Sequence, residues 1–453
     1  MRTNLCPIDL PDFGEIGAKP EVPPATYANR CEEAYRRSDC DWLVVYADRE
    51  HFANIVFLTG FEPRFEEALL LLGPSARRVL ITGNECQSYA ALSPLPGLEV
   101  LLAQSMSLMG QDRSSRPKLV QVLKEAGIGK GDVVGLAGWK YLETEEWEAQ
   151  APASFVPVFI FEALRLTAGS SGTVRDVTPC LMHPETGLRS VVDVDQIAEF
   201  EWAAARASSA VWRIVSGTRE NQTEFEAAAR MDYEGDPLST HIMFASNSDA
   251  PVVGLRSPTG RRIRRGDGVT TAIGLWGGLS SRAGLLTDYD NEFLKTASCY
   301  FEALISWYES AQLDVEGKAV FAAVTESLAR GGLRSALNPG HLTGHDEWIH
   351  SPIRPGSTDR LRSGMPFQVD IIPVPLPMGW ALNCEDPVIL ADSGLRLDLR
   401  TKHPAVWQRI EMRKRFVSEK LGVEIPDSTL LVSSTPLCLP PFWLVPGMLL
   451  ART

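Results

Sequence analysis

Three of the chain's seven histidines fall within one short run, residues 340–350 (GHLTGHDEWIH). An imidazole titrates near neutral pH and can take or give a proton during a reaction. His341 is therefore the first candidate for a general base or acid, and His345 the second. His350 and Trp348 of the same run are candidate substrate contacts. The ordinary alternative is a loop whose histidines simply hydrogen-bond backbone. Other patterns point to less. Arg261, Arg262, Arg264 and Arg265 form a basic run that reads as a solvated hairpin end, with phosphate binding as the lesser alternative. Residues 274–278 (GLWGG) lack the spacing and the following helix of a nucleotide loop and read as a hairpin turn. The eight cysteines (Cys6, Cys31, Cys40, Cys86, Cys180, Cys299, Cys384 and Cys438) contain no CxxC pair, which excludes a zinc ribbon and a thioredoxin-type motif. They read as unpaired, mostly buried thiols in a reducing compartment.

These side chains need a scaffold. The chain has 453 residues, more than one typical domain. With 44% hydrophobic and 22% charged residues it matches soluble globular proteins, which excludes a disordered chain, a collagen-like fibre and a disulfide scaffold. A formal net charge of -13 repels phosphate backbones, so nucleic acid is a poor partner. No secretory h-region and no run of about 18 apolar residues is visible, so a cytoplasmic protein without a membrane span is expected. Residues 1–24 read as a surface arm. From residue 25 to 190, apolar strands at 42–46, 68–72, 78–82 and 133–137 alternate with helical patterns at about 26–41 and 116–127, which indicates an α/β domain. Residues 167–195 read as an interdomain connection or an irregular insertion. A long helix starts at Asp195, a plausible N-cap, and a second follows residues 217–223. Short strands and turns fill 241–290 and 340–393, with helices at about 291–312 and 316–330 between them. A charged helix at 405–421 and a Pro-rich tail form a C-terminal extension from 401 to 453.

Several segments resemble the creatinase, prolidase and aminopeptidase P superfamily, the pita-bread fold. Residues 54–62 (NIVFLTGFE) are similar to its "NI-YLTGF" strand and turn. In the second half, residues 216–225 resemble "G-TE-E", 266–274 resemble "GD-V--D-G", 340–344 resemble "GH--G", 363–370 resemble "-GM-F--EP" and 384–390 resemble "-ED-V-V". Together with the long helix from Asp195, six matches stand in order over about two hundred residues. The resemblance implies a creatinase-like N-terminal α/β domain and a pita-bread domain over 191–400, with a curved antiparallel sheet flanked by helices. It also implies a homodimer in which the N-terminal domain of one chain closes the partner's pocket.

Metallopeptidases of this superfamily hold two divalent ions with two aspartates, a histidine and two glutamates; paired cations activate water and polarise a carbonyl, and each requires anionic oxygen. Carried over position by position, the first aspartate falls on Ala272 and the second on Arg282, or on Ala283 if no gap is placed. The histidine falls on His341, and the glutamates on Asp370 and Glu385. The expectation is thus no dinuclear metal and no cofactor, with Arg282 as the counter-charge to Asp370 and Glu385; a metal, if any, would use His341, Asp370 and Glu385. Creatinase is a metal-free C–N hydrolase within the superfamily. Its catalytic histidine falls on Leu255 or Arg256, so its chemistry does not carry over directly, whereas its pocket arginine after the "LTG" turn matches Arg64. The Asp346-Glu347-Trp348 triplet resembles one in dimethylsulfoniopropionate lyases, but those keep the metal-binding acids.

The expected function is metal-independent hydrolysis of a C–N bond in a small, carboxylate-bearing molecule. Proton transfer would run through His341, with Glu385 and Asp370 in support and Arg282 and Arg64 holding the carboxylate. The alternatives are an Xaa-Pro-type metallopeptidase with an altered metal site and a non-catalytic pseudoenzyme that keeps the pocket for binding.

Overall fold

A long alanine-rich helix and the β-hairpin beneath it form the centre of the larger of two units. In the computed structural model, which describes residues 2–114, 117–143, 146–147 and 153–453, the helix runs Val194–Gly217. The hairpin is formed by the antiparallel strands Gly268–Leu275 and Gly278–Leu285. Small residues let the two approach closely: a Cβ on Gly278 would lie 2.7 Å from Ala204 Cα, and one on Gly277 only 2.2 Å from the Phe200 ring. Gly277 also has φ +99°, which an L side chain rarely adopts, so the turn expected at 274–278 requires glycine there. Asp193, not Asp195, caps the helix, accepting from Gln196 N–H at 2.9 Å. Asp195 instead pairs with Lys402 and His403.

The larger unit comprises Met1–Glu21 and Val191–Thr453. Its seven-stranded antiparallel sheet runs in the order His341–Leu342, Pro366–Val369, Asn383–Leu390, Gly278–Leu285, Gly268–Leu275, Met243–Asn247, with Thr429–Leu431 also paired to Asn383–Leu390. The helices Val194–Gly217, Asn291–Ser310 and Pro404–Leu421 flank this curled sheet. Asp290 caps Asn291–Ser310, accepting from Phe293 N–H at 2.8 Å, and a Thr223–Glu226 capping box starts the short helix Glu224–Ala228. The first residues are more than an arm: Thr3–Pro7 is a strand paired with Met448–Arg452 in the Pro-rich tail.

The smaller unit, Val22–Ser190, carries a six-stranded mixed sheet in the order Leu98–Leu102, Arg77–Thr82, Ala68–Gly73, Trp42–Ala47, Val133–Ala137, Thr173–Asp176. Its last strand lies within 167–195, so that stretch completes the sheet before it reaches the boundary between the units at Ser190 and Val191. The expected 54–62 strand and turn is a helix, Ala53–Thr59, with all seven residues buried and Gly60 at a left-handed C-cap. Its apolar run satisfied both periods, and burial on every side removed the alternation that separates them. Of the helix expected at 116–127, Leu119–Ala126 forms; Arg116 lies outside the described residues.

All eight cysteines are free thiols, four buried and four partly so. No helix among the described residues is long and apolar enough to cross a membrane. The basic run is tied into structure: Arg261 pairs with buried Asp267 at 2.6 Å, Arg262 donates to the Asn221 carbonyl, and Arg265 pairs with Asp288.

Candidate functional site

Strand register decides which side chains share the concave face. Opposed residues on neighbouring strands point to the same side of a sheet, and adjacent residues point to opposite sides. Ala272 opposes Ser281, which opposes Glu385. Thr271 opposes Arg282, which opposes Cys384. Ala272, Ser281, Ala283 and Glu385 all line a cavity of about 560 Å³. Asp370 joins them: Val369 opposes Asp386, and the same register taken one step further sets Asp370 against Glu385. His341 enters from the next strand, opposite Gln368. The result is a buried triad in which ligand atoms of His341, Asp370 and Glu385 all lie within 4.8 Å of one another.

The triad's environment favours retained protons. Glu385 is pushed well above the ordinary carboxyl range, first by burial and then by the neighbouring Asp370. Burial likewise raises Asp370 to about 6, although His341 opposes the shift. Asp370 Oδ1 is buried and has no hydrogen-bond partner. Asn383 spans this side of the cavity, with Nδ2 donating to Ser281 Oγ at 3.1 Å and lying 3.4 Å from Glu385 Oε2. Burial works against the charged form of His341, but the Glu347 carboxylate, whose Oε1 is 3.0 Å from Nε2, outweighs it, and the pKa is raised.

His341 does not itself front the cavity. It is fully buried and stacks on Trp348, ring centroids 4.0 Å apart, while Trp348 and Glu347 form the wall. Glu347, Asn383 and Ser281 are the site residues that sequence reasoning did not single out. The triplet containing Glu347 was visible, but its acid acquires a role only when the loop folds it onto His341.

Arg282 corrects the sequence expectation most sharply. It is fully buried on the opposite face of the sheet, where its Nη2 pairs with Asp386 at 2.8 Å and it donates to the carbonyls of Cys438, Ser281, Glu385 and Thr435. It is neither a substrate contact nor the counter-charge to the Asp370 and Glu385 carboxyls, because it occupies an odd position of the pleat relative to them. Of the two positions matched to the second aspartate, Ala283 faces the cavity. His345 turns away as well: its Nε2 lies 3.5 Å from Glu199, and its ring sits edge-on to Phe200 and Trp276. His350 closes the loop through its backbone, accepting from Leu342 N–H at 2.7 Å, and does not line the cavity. Arg64 belongs to the smaller unit, where it pairs with Glu62 at 3.2 Å and donates to Tyr89 Oη at 2.9 Å.

A pair of metal ions does not fit these residues. The face that would supply two aspartates carries the methyl groups of Ala272 and Ala283 and the hydroxyl of Ser281. Of the five positions carried over from the family, only His341, Asp370 and Glu385 keep donors, two short of the set a dinuclear centre uses.

No protein-family model and no curated protein sequence matches the chain. Solved structures do. A prolidase from Thermococcus sibiricus superposes with a TM-score of 0.64 at 19% identity, covering 82% of this chain and 95% of that one. An X-Pro aminopeptidase from Thermotoga maritima MSB8 gives 0.62 at 17%, covering 81% and 95%. The prolidase from Pyrococcus horikoshii OT3 gives 0.61 at 18%, again covering 81% and 95%. The chain therefore has the pita-bread fold of prolidases and aminopeptidase P.

Proposed function

We propose that this protein hydrolyses a C–N bond in a small molecule by proton transfer through the Asp370–Glu385 pair, without a dinuclear metal centre. One observation carries the reading. Two buried carboxyls, Asp370 and Glu385, line one cavity, and the Oδ1 of Asp370 has no hydrogen-bond partner, while the positions that would bring metal-binding aspartates are Ala272 and Ala283. Like charges so placed retain one proton at neutral pH. The ionised member draws a proton from water as the water oxygen attacks the carbonyl carbon. The protonated member donates to the departing nitrogen. One proton is taken and one given, so the pair is restored at the end of each turnover. His341, held by Glu347, acts behind Asp370 as a positioning residue, not as the group that touches the water.

The carboxylate-bearing substrate expected from Arg282 is not part of this proposal, because no Arg or Lys lines the cavity among the described residues. A rival reading rests on the 4.8 Å convergence of the triad: His341, Asp370 and Glu385 would hold a single divalent ion, which supplies Lewis-acid polarisation of a carbonyl. Chelation separates the two. Protein dialysed against a chelator, with metal content measured by mass spectrometry, is assayed on amidines, cyclic amides, N-alkyl amides and Xaa-Pro dipeptides. Turnover that survives chelation and disappears in Asp370→Asn and Glu385→Gln is expected. Turnover that vanishes on chelation and returns with manganese or zinc would refute the proposal.

A further inference from the structure

The cavity has a polarity gradient that the hydrolysis reading does not use. Its floor holds Glu347, Asp370 and Glu385. Its mouth is formed by Leu255, Leu337, Met378 and Trp348, large apolar side chains left exposed to solvent. Three acids face inward, and among the described lining residues there is no Lys, Arg or His to balance them. His341, behind the wall, brings at most one positive charge against the three, its Nε2 lying 3.0 Å from Glu347 and its ring within reach of Asp370. Asp370 Oδ1 stays buried, unpartnered and at the cavity wall. A buried acceptor without a donor costs free energy until something supplies one. The outer face of Trp348, opposite the face stacked on His341, adds an aromatic surface beside the acids.

We propose that this cavity binds an organic cation with an apolar body, an alkyl- or arylalkylammonium group. The ammonium reaches Asp370 Oδ1, Glu385 and Glu347, and the hydrocarbon lies along Leu255, Leu337 and Met378. Charge-assisted hydrogen bonds and the Trp348 ring recognise the head, and burial of the tail adds about 25 cal/mol for each Å² removed from water. This inference rests on the proposed hydrolysis and extends it to a substrate class. Hydrolysis of a neutral N-alkyl amide by one water yields a carboxylate and an alkylammonium. The acid-lined floor retains the second and repels the first, so the apolar group sits on the nitrogen side of the scissile bond.

Binding alone tests this, with chelator-treated protein and calorimetry against hexylammonium, hexanol and hexanoate. Hexylammonium is expected to bind at least about tenfold more tightly than hexanol, the scale of one charge-assisted contact, with no detectable binding of hexanoate. Glu347→Gln should weaken hexylammonium about tenfold and leave hexanol unchanged, the unchanged alcohol showing that the cavity is intact. Met378→Ser, at an exposed rim position, should weaken both. Equal binding of hexylammonium and hexanol, preference for hexanoate, or stabilisation by divalent metal with none by hexylammonium would each overturn the inference. Failure of the two readings is distinguishable: hexylammonium binding with no amide turned over removes the hydrolysis and keeps the cation site, and turnover of carboxylate-bearing amides without hexylammonium binding does the reverse.

Discussion

Replacing Arg282 with methionine tests the assignment of that side chain to the structural face of the sheet. The guanidinium is fully buried, and burial by itself would lower its pKa, but the Asp386 carboxylate more than offsets this and keeps it charged. Methionine fills similar volume yet removes the ion pair and leaves the Cys438, Ser281, Glu385 and Thr435 carbonyls without this donor. Asp386 keeps only Ser433 Oγ at 2.7 Å and Leu437 N–H at 3.1 Å. Removing one partner of a buried pair costs about 3–5 kcal/mol, because the remaining charge stays desolvated. For a unit of this size that lowers Tm by roughly 10 °C. The assay is paired: thermal unfolding, and hexylammonium binding at a temperature where the variant is folded. Stability should fall while affinity stays within about twofold, since a change far smaller than 1.4 kcal/mol is expected at the cavity. The double variant Arg282→Met/Asp386→Leu should recover only the part of the loss due to the stranded Asp386 charge, because the four carbonyls still lack their donor and Ser433 Oγ and Leu437 N–H lose their acceptor. An unchanged Tm together with lost binding or turnover would refute the placement and return Arg282 to the cavity.

Three further outcomes follow from the same geometry. Ala272→Asp/Ala283→Asp adds two carboxylates to the cavity face and should raise manganese or zinc affinity above that of the parent protein, read by calorimetry; no gain in metal affinity would count against the assigned register. Glu199 is buried, which by itself raises its pKa, but His345 and Lys19 outweigh burial and hold it at about 2 instead of 4.5. A depressed carboxyl contributes stability above its unfolded value and loses it as pH falls through the folded one. Glu199→Gln should therefore cost about 3 kcal/mol at pH 7 and nothing near pH 2, with denaturation midpoints against pH as the readout. His341→Gln should lower kcat with little change in KM if the histidine only positions Asp370; a large rise in KM would mean that the ring meets substrate directly.

How much of this was legible in the sequence depends on which physical property each inference used. The fold was, because it needs only element order and a few turn chemistries: the glycine turn at 274–278 and the ordered matches from residue 216 to 390 survive errors of one or two positions, whereas the helix cap expected at Asp195 is Asp193. The site was not legible to the same depth, because a β-strand converts a one-residue error into a change of face. Arg282 and Ala283 stood as alternatives for one aspartate position, and nothing local separates them. Only pairing of Ser281 with Glu385 and of Arg282 with Cys384 shows that the arginine points away. Burial gave no warning either, since the strand Gly278–Leu285 is buried along its whole length and lacks the apolar–polar alternation that reports a face. Loop side chains carry a second kind of blindness. His345 looked equivalent to His341, but its orientation depends on Glu199, 146 positions earlier. The acid that His341 meets, Glu347, faces it because Ile349 N–H bonds back to the Leu342 carbonyl at 2.9 Å and folds the segment over. Residue types thus identified the strands that carry the chemistry, and strand register decided the charge of the cavity. That order explains why the expected ligand changes sign: with Arg282 on the far face, the same acids that it was to neutralise are left facing the cavity.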